Sequence, residues 1–345
     1  MTMTSLNMAD MAATEMMIRR LLVSDDPALA PLYQMMQYHL GWLTEGFAPQ
    51  TAVVGGKRLR PRICLLCCAG AGGDPARAVP AAAAIELLHN FTLIHDDIQD
   101  GSSHRHHQRT VWHLWGMPQA ITVGDGMYAL AHEALLLLTE HGVPAAMTVV
   151  LAREFNATVL RICEGQYQDI GFEARWDITG RDYLQMIGGK TAALFAFSAR
   201  AGALLGGADK RRANVYADLG TAIGLGFQLR DDLLGIWGAA AVTGKPAADD
   251  IRRRKKSLPV ILLHERLDPA GRAQLETLYA PDEVAPDDVA TVMSLLIAAG
   301  VHGECQERVA RYHADAVTLL HATGATGEAR DTLAALIEAM AVREA

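Results

Sequence analysis

The chain has 345 residues, half of them hydrophobic, which is ample for a large buried core. Its formal net charge of −8 argues against nucleic acid as a main partner, so local basic clusters need local explanations. The cysteines (Cys64, Cys67, Cys68, Cys163 and Cys305) are odd in number and come without a secretory pattern, which points to a reducing compartment and a soluble, cytoplasmic protein.

Residues 1–24 read as a flexible or marginally helical N-terminus. Met1-Thr2-Met3-Thr4, Asp10 and Glu15 lack the basic start and continuous apolar core of a signal peptide. Over residues 25–345 no linker, repeat or charge block divides the chain, so one large helical domain is expected. Pro27 to Leu43 reads as a first firm helix, with Leu29, Leu32, Met35, Met36 and Leu40 near helical spacing. Gly55-Gly56 breaks the chain, and a helix resumes through Arg62 to Ala71. Cys64 and Cys67 form a CxxC there, but no second CxxC or His pair completes a zinc site, and they read as small core residues. Ala76 to Asp100 is a long Ala/Leu helix, followed by a polar loop, Gly101 to Gln108, and a helix from about Ala120 to Glu140.

Pro144 to Phe172 is another long helix, carrying Glu164, Gln166, Tyr167 and Asp169. Thr179-Gly180-Arg181-Asp182 has the form of a capped start for a helix that reaches Lys190 and continues to about Leu205. Asp209 to Trp237 is helical, and Gly238 to Lys256 is a loop with a basic run. Helical hairpins complete the chain: Leu258 to Arg266, Ala270 to Leu278, Asp287 to Ala299, Glu304 to His321 and Gly327 to Val342. No run shows strand alternation, so the fold class is all-α. Apolar stretches such as Ala134 to Leu138 are too short to span a bilayer.

The chemistry is concentrated at the end of the third of these helices, in Leu88 to Asp100. Asp96 and Asp100 are four apart and so stack on one helix face. Like charges at that spacing repel, and a cation belongs between them. Oxygen-only ligands suit Mg²⁺, which takes one or two carboxylates plus waters and substrate phosphates. A second acidic pair, Asp231-Asp232, stands in the apolar run Gly226 to Gly235. Two such sites on facing helices would hold a cluster of Mg²⁺ around one diphosphate.

Five motifs, GGKRLRP (55–61), HDDIQD (95–100), GGKTA (188–192), FQLRDD (227–232) and TGKP (243–246), follow one another as in the trans-isoprenyl diphosphate synthases, which the chain resembles from about Gly55 to Pro259. The resemblance implies a single helical-bundle domain of the isoprenoid synthase type with a central substrate cavity, short-chain (farnesyl or geranylgeranyl) in character. It implies a reaction in which an allylic diphosphate ionises and its carbocation alkylates isopentenyl diphosphate. Asp96 and Asp100 would bind two Mg²⁺ and Asp231 a third, with Asp97 and Asp232 supporting. Arg105, Lys190 and Lys245 would grip the leaving diphosphate, with Thr191 beside Lys190, and Gln228 would lie near the reacting carbons. Lys57, Arg60 and His89 would bind isopentenyl diphosphate. Phe91 and Thr92, just above the first motif, would limit the product to about C15–C20, and a homodimer is expected.

The sequence also departs from the family's pattern. His106 stands where a second arginine is usual, and Arg109 replaces a proline. Histidine does not reproduce a guanidinium fork, so binding of the second substrate is expected to be weaker or pH-dependent. The His-rich loop His104 to His107 reads as solvated rather than as a transition-metal site. Gly235 leaves the second motif without its last aspartate, and Ala239-Ala240 replaces a common Asp-Pro. Two other readings stay open: a class I terpene cyclase on the same scaffold, and a non-catalytic partner subunit. His106 and Arg109 favour the cyclase; intact Lys57, Arg60 and His89 oppose it.

Overall fold

The computed structural model describes residues 5–50, 56, 58–105, 108–238, 248–281 and 283–341. Lys57, His106, His107, Ala239, Ala240 and Lys245 lie outside the described residues, so the expectations placed on them are not addressed by the structure. Among the described residues the fold is all-α, as expected. The polar loop adds a two-residue hairpin, His104–Arg105 against Gln108–Arg109.

The chain forms two compact units, each assembled from separated stretches of sequence. The first comprises Met1–Glu154, Ser198–Ala213 and Ala325–Arg330. It contains α1 (Ser5–Leu21), α2 (Ala30–His39), α3 (Leu59–Ala71), α4 (Val79–Gln99), α5 (Val111–Trp115) and α6 (Met117–Leu136). At its centre lies α4, which packs on α1, α3 and α6. Ala81 to Ala84 are fully buried, and their small side chains bring neighbouring helices close. The marginal helix expected of the first 24 residues is a 17-residue helix. Its core residue is Ile18; Leu22, just past its end, is buried too, and Arg19 lies over the Trp42 ring at 3.9 Å. The core of α3 holds Cys64, Cys67 and Cys68 as free thiols. Burial pushes the Cys68 thiol up to about 12, leaving it inert as a nucleophile.

Met117–His141 is, by length and composition, apolar enough to cross a membrane, with mean hydropathy 1.2, a stretch longer than the runs singled out in the sequence. In the fold, Ala120, Val123, Met127, Ala131 and Ala134 of this stretch are buried and the helix packs along α4, as core helices do.

The second unit comprises Phe155–Phe197, Asn214–Gly324 and Asp331–Ala345. Of the remaining helices, α7 spans Ala145–Glu173, α8 Gly180–Ile187, α9 Ala193–Leu205 and α10 Lys210–Trp237. They are followed by α11 (Asp249–Arg252), α12 (Leu258–Arg266), α13 (Pro269–Leu278), α14 (Pro286–Ala298), α15 (Val301–Ala322) and α16 (Gly327–Ala341). The unit's core joins Tyr183, Met186, Leu229, Leu233, Ile251 and Val260. Thr179 caps α8 as its sequence indicates: its hydroxyl oxygen accepts the Asp182 N–H while the Asp182 carboxylate accepts the Thr179 N–H.

The helix expected to run on through Lys190 is interrupted by a π turn, Gly188–Ala192. The cause is a close backbone contact with α7. A Cβ on Gly165 would lie 2.3 Å from the Lys190 backbone nitrogen, and one on Gly189 would lie 2.8 Å from the Arg161 carbonyl oxygen. Only glycine at both positions lets the turn seat against α7. Such bulges are frequent at functional sites.

Candidate active site

The first aspartate motif closes α4. Asp100 is the C-cap residue, its N–H donating to the Asp96 carbonyl at 2.8 Å. Carboxylates at a helix C-terminus oppose the macrodipole, so the arrangement is unfavourable until a cation arrives. Asp96 is half-buried and Asp100 exposed, whereas Asp97 is only 2% exposed. Arg105 grips Asp97 Oδ1 through Nε (2.9 Å) and a second nitrogen (2.8 Å). Burial raises the Asp97 pKa, and the Arg105 guanidinium opposes that shift. Asp97 therefore anchors Arg105 inside the protein instead of sharing an open face with Asp96 and Asp100. Arg105, the residue expected to grip the diphosphate, is held by this carboxylate.

Upstream on the same helix, His89 Nε2 lies 3.1 Å from an Arg60 terminal nitrogen. Arg60, on the first turn of α3, is partly buried; desolvation lowers its pKa to about 10, and the buried Glu86 carboxylate works against that shift. Arg58 caps the same helix in a left-handed conformation (φ 47°) and pairs with Glu15 of α1 at 2.7 Å. Non-glycine residues adopt that conformation at a cost, and such strain gathers at functional sites. Phe91 packs against His95 (4.7 Å between centroids) and Tyr128 of α6 (5.2 Å). The Thr92 hydroxyl instead donates back to the His89 carbonyl at 2.7 Å.

In the second unit, the π turn presents Lys190, whose ammonium donates to Asp169 Oδ2 of α7 at 2.5 Å. The next residue, Thr191, donates to Gln228 Oε1 at 2.9 Å; Gln228 Nε2 donates to Asp232 Oδ1 at 3.1 Å; and the Tyr183 hydroxyl donates to Asp232 Oδ2 at 2.6 Å. This chain of bonds fixes Gln228 and leaves Asp232 buried and committed on both oxygens. Burial pushes the Asp232 carboxyl up to about 6, although Lys255, Tyr183 and Gln228 favour its charged form. Asp231, next to it, is exposed. The two motifs thus share a design: one aspartate turned inward as an anchor (Asp97, Asp232) and the others turned outward (Asp96, Asp100, Asp231).

Sequence reasoning did not single out Asp169, Tyr183, Asp250 or Lys255 as site residues. The Lys255 ammonium lies 3.9 Å from Asp250, the carboxylate that does most to raise its pKa, followed by Asp232, Asp231 and Asp169. Inside the run Arg252 to Lys256 nothing in the sequence marks this lysine out. Asp169 follows Gly165 by one helical turn, the one available signal that it belongs with the π turn.

The donor set fits Mg²⁺. Asp100 and Asp231 are exposed and Asp96 is partly so, and among the described residues no three His, Cys, Asp or Glu side chains converge into a closed cage. Mg²⁺ asks for such partial coordination, completed by water and phosphate oxygens.

All-helical architecture with aspartate pairs on two long helices defines the isoprenoid synthase class. Residues 43–296 match the family model of polyprenyl synthetases. The chain is 41% identical over 290 residues to a (2E,6E)-farnesyl diphosphate synthase of Mycobacterium tuberculosis, covering 84% of this chain and 78% of that protein. It is 40% identical over 274 residues to a geranylgeranyl diphosphate synthase of the same organism, covering 78% and 76%. A crystal structure of a polyprenyl synthetase from Streptomyces coelicolor matches with a TM-score of 0.87 at 35% identity, covering 98% of this chain and 99% of that one. The chain belongs to the polyprenyl synthetase family.

Proposed function

We propose that this trans-prenyltransferase condenses an allylic diphosphate with isopentenyl diphosphate in a Mg²⁺-dependent reaction and releases a C15–C20 trans-prenyl diphosphate. The observation that carries the reading is the partly buried Arg60–His89 pair backed by the buried Glu86. A cyclase, which handles one diphosphate, has no use for a second cationic pair of this kind, and a non-catalytic subunit has no need to keep it.

In this reading Asp96, Asp100 and Asp231 hold the metal, expected as three ions. Bound Mg²⁺ supplies charge neutralisation for the departing diphosphate. Lys190 leaves Asp169 for the leaving group, joined by Arg105 and Lys245. Arg60 and His89 orient isopentenyl diphosphate with Lys57 and His106. Gln228, fixed by Thr191 and Asp232, presents its amide to the reacting carbons, and Phe91 limits the growing chain.

A homodimer is part of the proposal. On α7, Leu160, Cys163, Tyr167 and Ile170 recur at spacings of three and four and are all exposed, Tyr167 to 81%, which supports a helix face awaiting a second copy. Five cysteines, all free, support the cytoplasm as its place.

The test is incorporation of labelled isopentenyl diphosphate into acid-labile product with geranyl or farnesyl diphosphate as primer. Full activity in Mg²⁺, its loss with chelator, and a selective rise in KM for isopentenyl diphosphate in Arg60→Gln support the reading. An Arg60→Gln variant with unchanged KM for that substrate would remove its main support.

A further inference from the structure

The motif GGKRLRP (55–61) carries three cations, and the proposed function uses Lys57 and Arg60 but not Arg58 between them. The structure gives Arg58 a partner of its own. Its Nη1 donates to Glu15 Oε2 of α1 at 2.7 Å. Arg19, one helical turn beyond Glu15, donates to the other oxygen, Oε1, through Nη2 (2.7 Å) and Nε (3.1 Å). Glu15 is thereby committed on both oxygens. Burial works to raise its pKa, yet the two guanidiniums hold it below the ordinary carboxylate value. Trp42, in the segment after α2, completes the cluster: its ring centroid lies 3.9 Å from the guanidinium carbon of Arg19 and 5.9 Å from that of Arg58.

This clamp grips a strained place. An N-cap residue ordinarily has extended backbone and a side-chain oxygen that accepts from the first turn. Arg58 has neither: it is left-handed (φ 47°, ψ 45°) and makes no capping bond. Such a conformation costs a non-glycine residue energy and persists where the surroundings enforce it. Here the enforcement comes from α1, itself fixed by the buried Thr14 and Ile18 and by packing against α3 and α4. Only 14% of the Arg58 side chain is exposed, so its pair with Glu15 is better sheltered than an ordinary surface ion pair. Two residues past Arg58, Arg60 places Nη1 3.1 Å from His89 Nε2 of α4. The direction in which the chain turns into α3 decides where Arg60 sits, and Arg58 is the residue that sets it.

We propose that Glu15 is a positioning residue for isopentenyl diphosphate: through Arg58 it fixes the first turn of α3, and with it Arg60 beside His89. Glu15 does not meet the substrate, since both are anionic; it acts only through the arginine. The inference rests on the proposed function, which assigns Arg60 and His89 to that substrate.

The test compares Glu15→Gln with Arg19→Ala, which removes the other half of the Glu15 cluster and leaves the Arg58 pair. KM for each substrate, kcat and melting temperature are measured on the full-length protein, with kinetics run well below the lowest melting temperature of the set. Glu15→Gln is expected to raise KM for isopentenyl diphosphate by about tenfold, as misplaced binding groups do. KM for the allylic diphosphate and kcat should stay within about twofold. Arg19→Ala should lower the melting temperature and leave both KM values within about the same twofold range. Arg58→Ala should raise KM for isopentenyl diphosphate as Glu15→Gln does. The double variant Glu15→Gln/Arg58→Ala should then be no worse than Arg58→Ala alone, because the two residues act as one unit. The inference is overturned if Glu15→Gln changes only the melting temperature, or if Arg19→Ala raises KM for isopentenyl diphosphate equally. It is also overturned if the two effects multiply in the double variant. An unaltered protein that does not elongate with isopentenyl diphosphate would instead remove the proposed function, and this inference with it.

Discussion

At the scale of the residue, two adjacent aspartates on a helix point about 100° apart, so they rarely do the same work. Asp231 and Asp232 illustrate it, one exposed and one bonded by Tyr183 and Gln228. Asp231→Asn should cut kcat by about 10²–10³-fold with an unchanged melting temperature, the signature of lost transition-state electrostatics. Asp232→Asn should do the reverse in emphasis, lowering the melting temperature measurably and kcat far less. Steady-state kinetics beside calorimetric melting separates the two. Phe91 offers a second test. Truncation to alanine removes the ring that meets Tyr128 at 5.2 Å, and the dephosphorylated product should lengthen by one or more isoprene units on chromatography. A product of unchanged length would show that Phe91 serves only as core.

At the scale of the element, the fit between α7 and the π turn depends on Gly165. Gly165→Ala would place a methyl 2.3 Å from the Lys190 nitrogen, and backbone cannot step aside as a flexible side chain does. Overpacking of this kind costs about 1–3 kcal/mol, so a melting temperature lower by a few degrees is expected. Activity should fall more steeply, because Lys190 moves with the turn. Another element carries a pH signature. Lys256 donates to the Glu173 carbonyl near the end of α7 and lies 4.2 Å from the Trp176 ring centroid, and burial lowers its pKa to about 8 from the ordinary 10.5. Between those values the unfolded chain binds a proton that the folded chain does not, so stability rises with pH. Its contribution is complete above about 10.5 and is lost as pH falls through about 8. Melting temperatures from pH 7 to 10 should climb less in Lys256→Gln than in the unaltered protein.

These elements also show how far the sequence could be read. The long helices, the Thr179 cap and the Leu258–Arg266 helix follow from periodicity and capping residues, which are local signals. The π turn does not, because apolar spacing continues on both sides of Gly188 and its cause lies on α7, more than twenty residues upstream. The motifs marked Asp96, Asp97, Asp100, Asp231 and Asp232 as a group, but the inward turn of Asp97 and Asp232 depends on Arg105 and Tyr183 arriving from elsewhere in the chain. Lys255 was hidden for the same reason: Asp250 becomes its neighbour only after the chain reverses at Arg254.

At the scale of the whole molecule, a net charge of −8 accompanies cationic groups that each answer to a nearby carboxylate: Arg60 to Glu86 and Arg105 to Asp97 in the first unit, Lys190 to Asp169 and Lys255 to Asp250 in the second. Such pairing favours the charged form of these partly exposed side chains. The exposed stripe on α7 belongs to this scale too. Leu160→Glu, placing a charge at a side chain 60% exposed in the single chain, should shift sedimentation from dimer to monomer. A protein already monomeric without the substitution would contradict the proposed dimer.

The central claim is that the chain joins two diphosphates rather than rearranging one. Its most direct test is product analysis after incubation in Mg²⁺ with geranyl or farnesyl plus isopentenyl diphosphate, and separately with geranylgeranyl diphosphate alone, before and after phosphatase treatment. The account predicts a longer prenyl alcohol that appears only with isopentenyl diphosphate and only after phosphatase. A hydrocarbon or cyclic alcohol formed from geranylgeranyl diphosphate alone, without phosphatase, would contradict it.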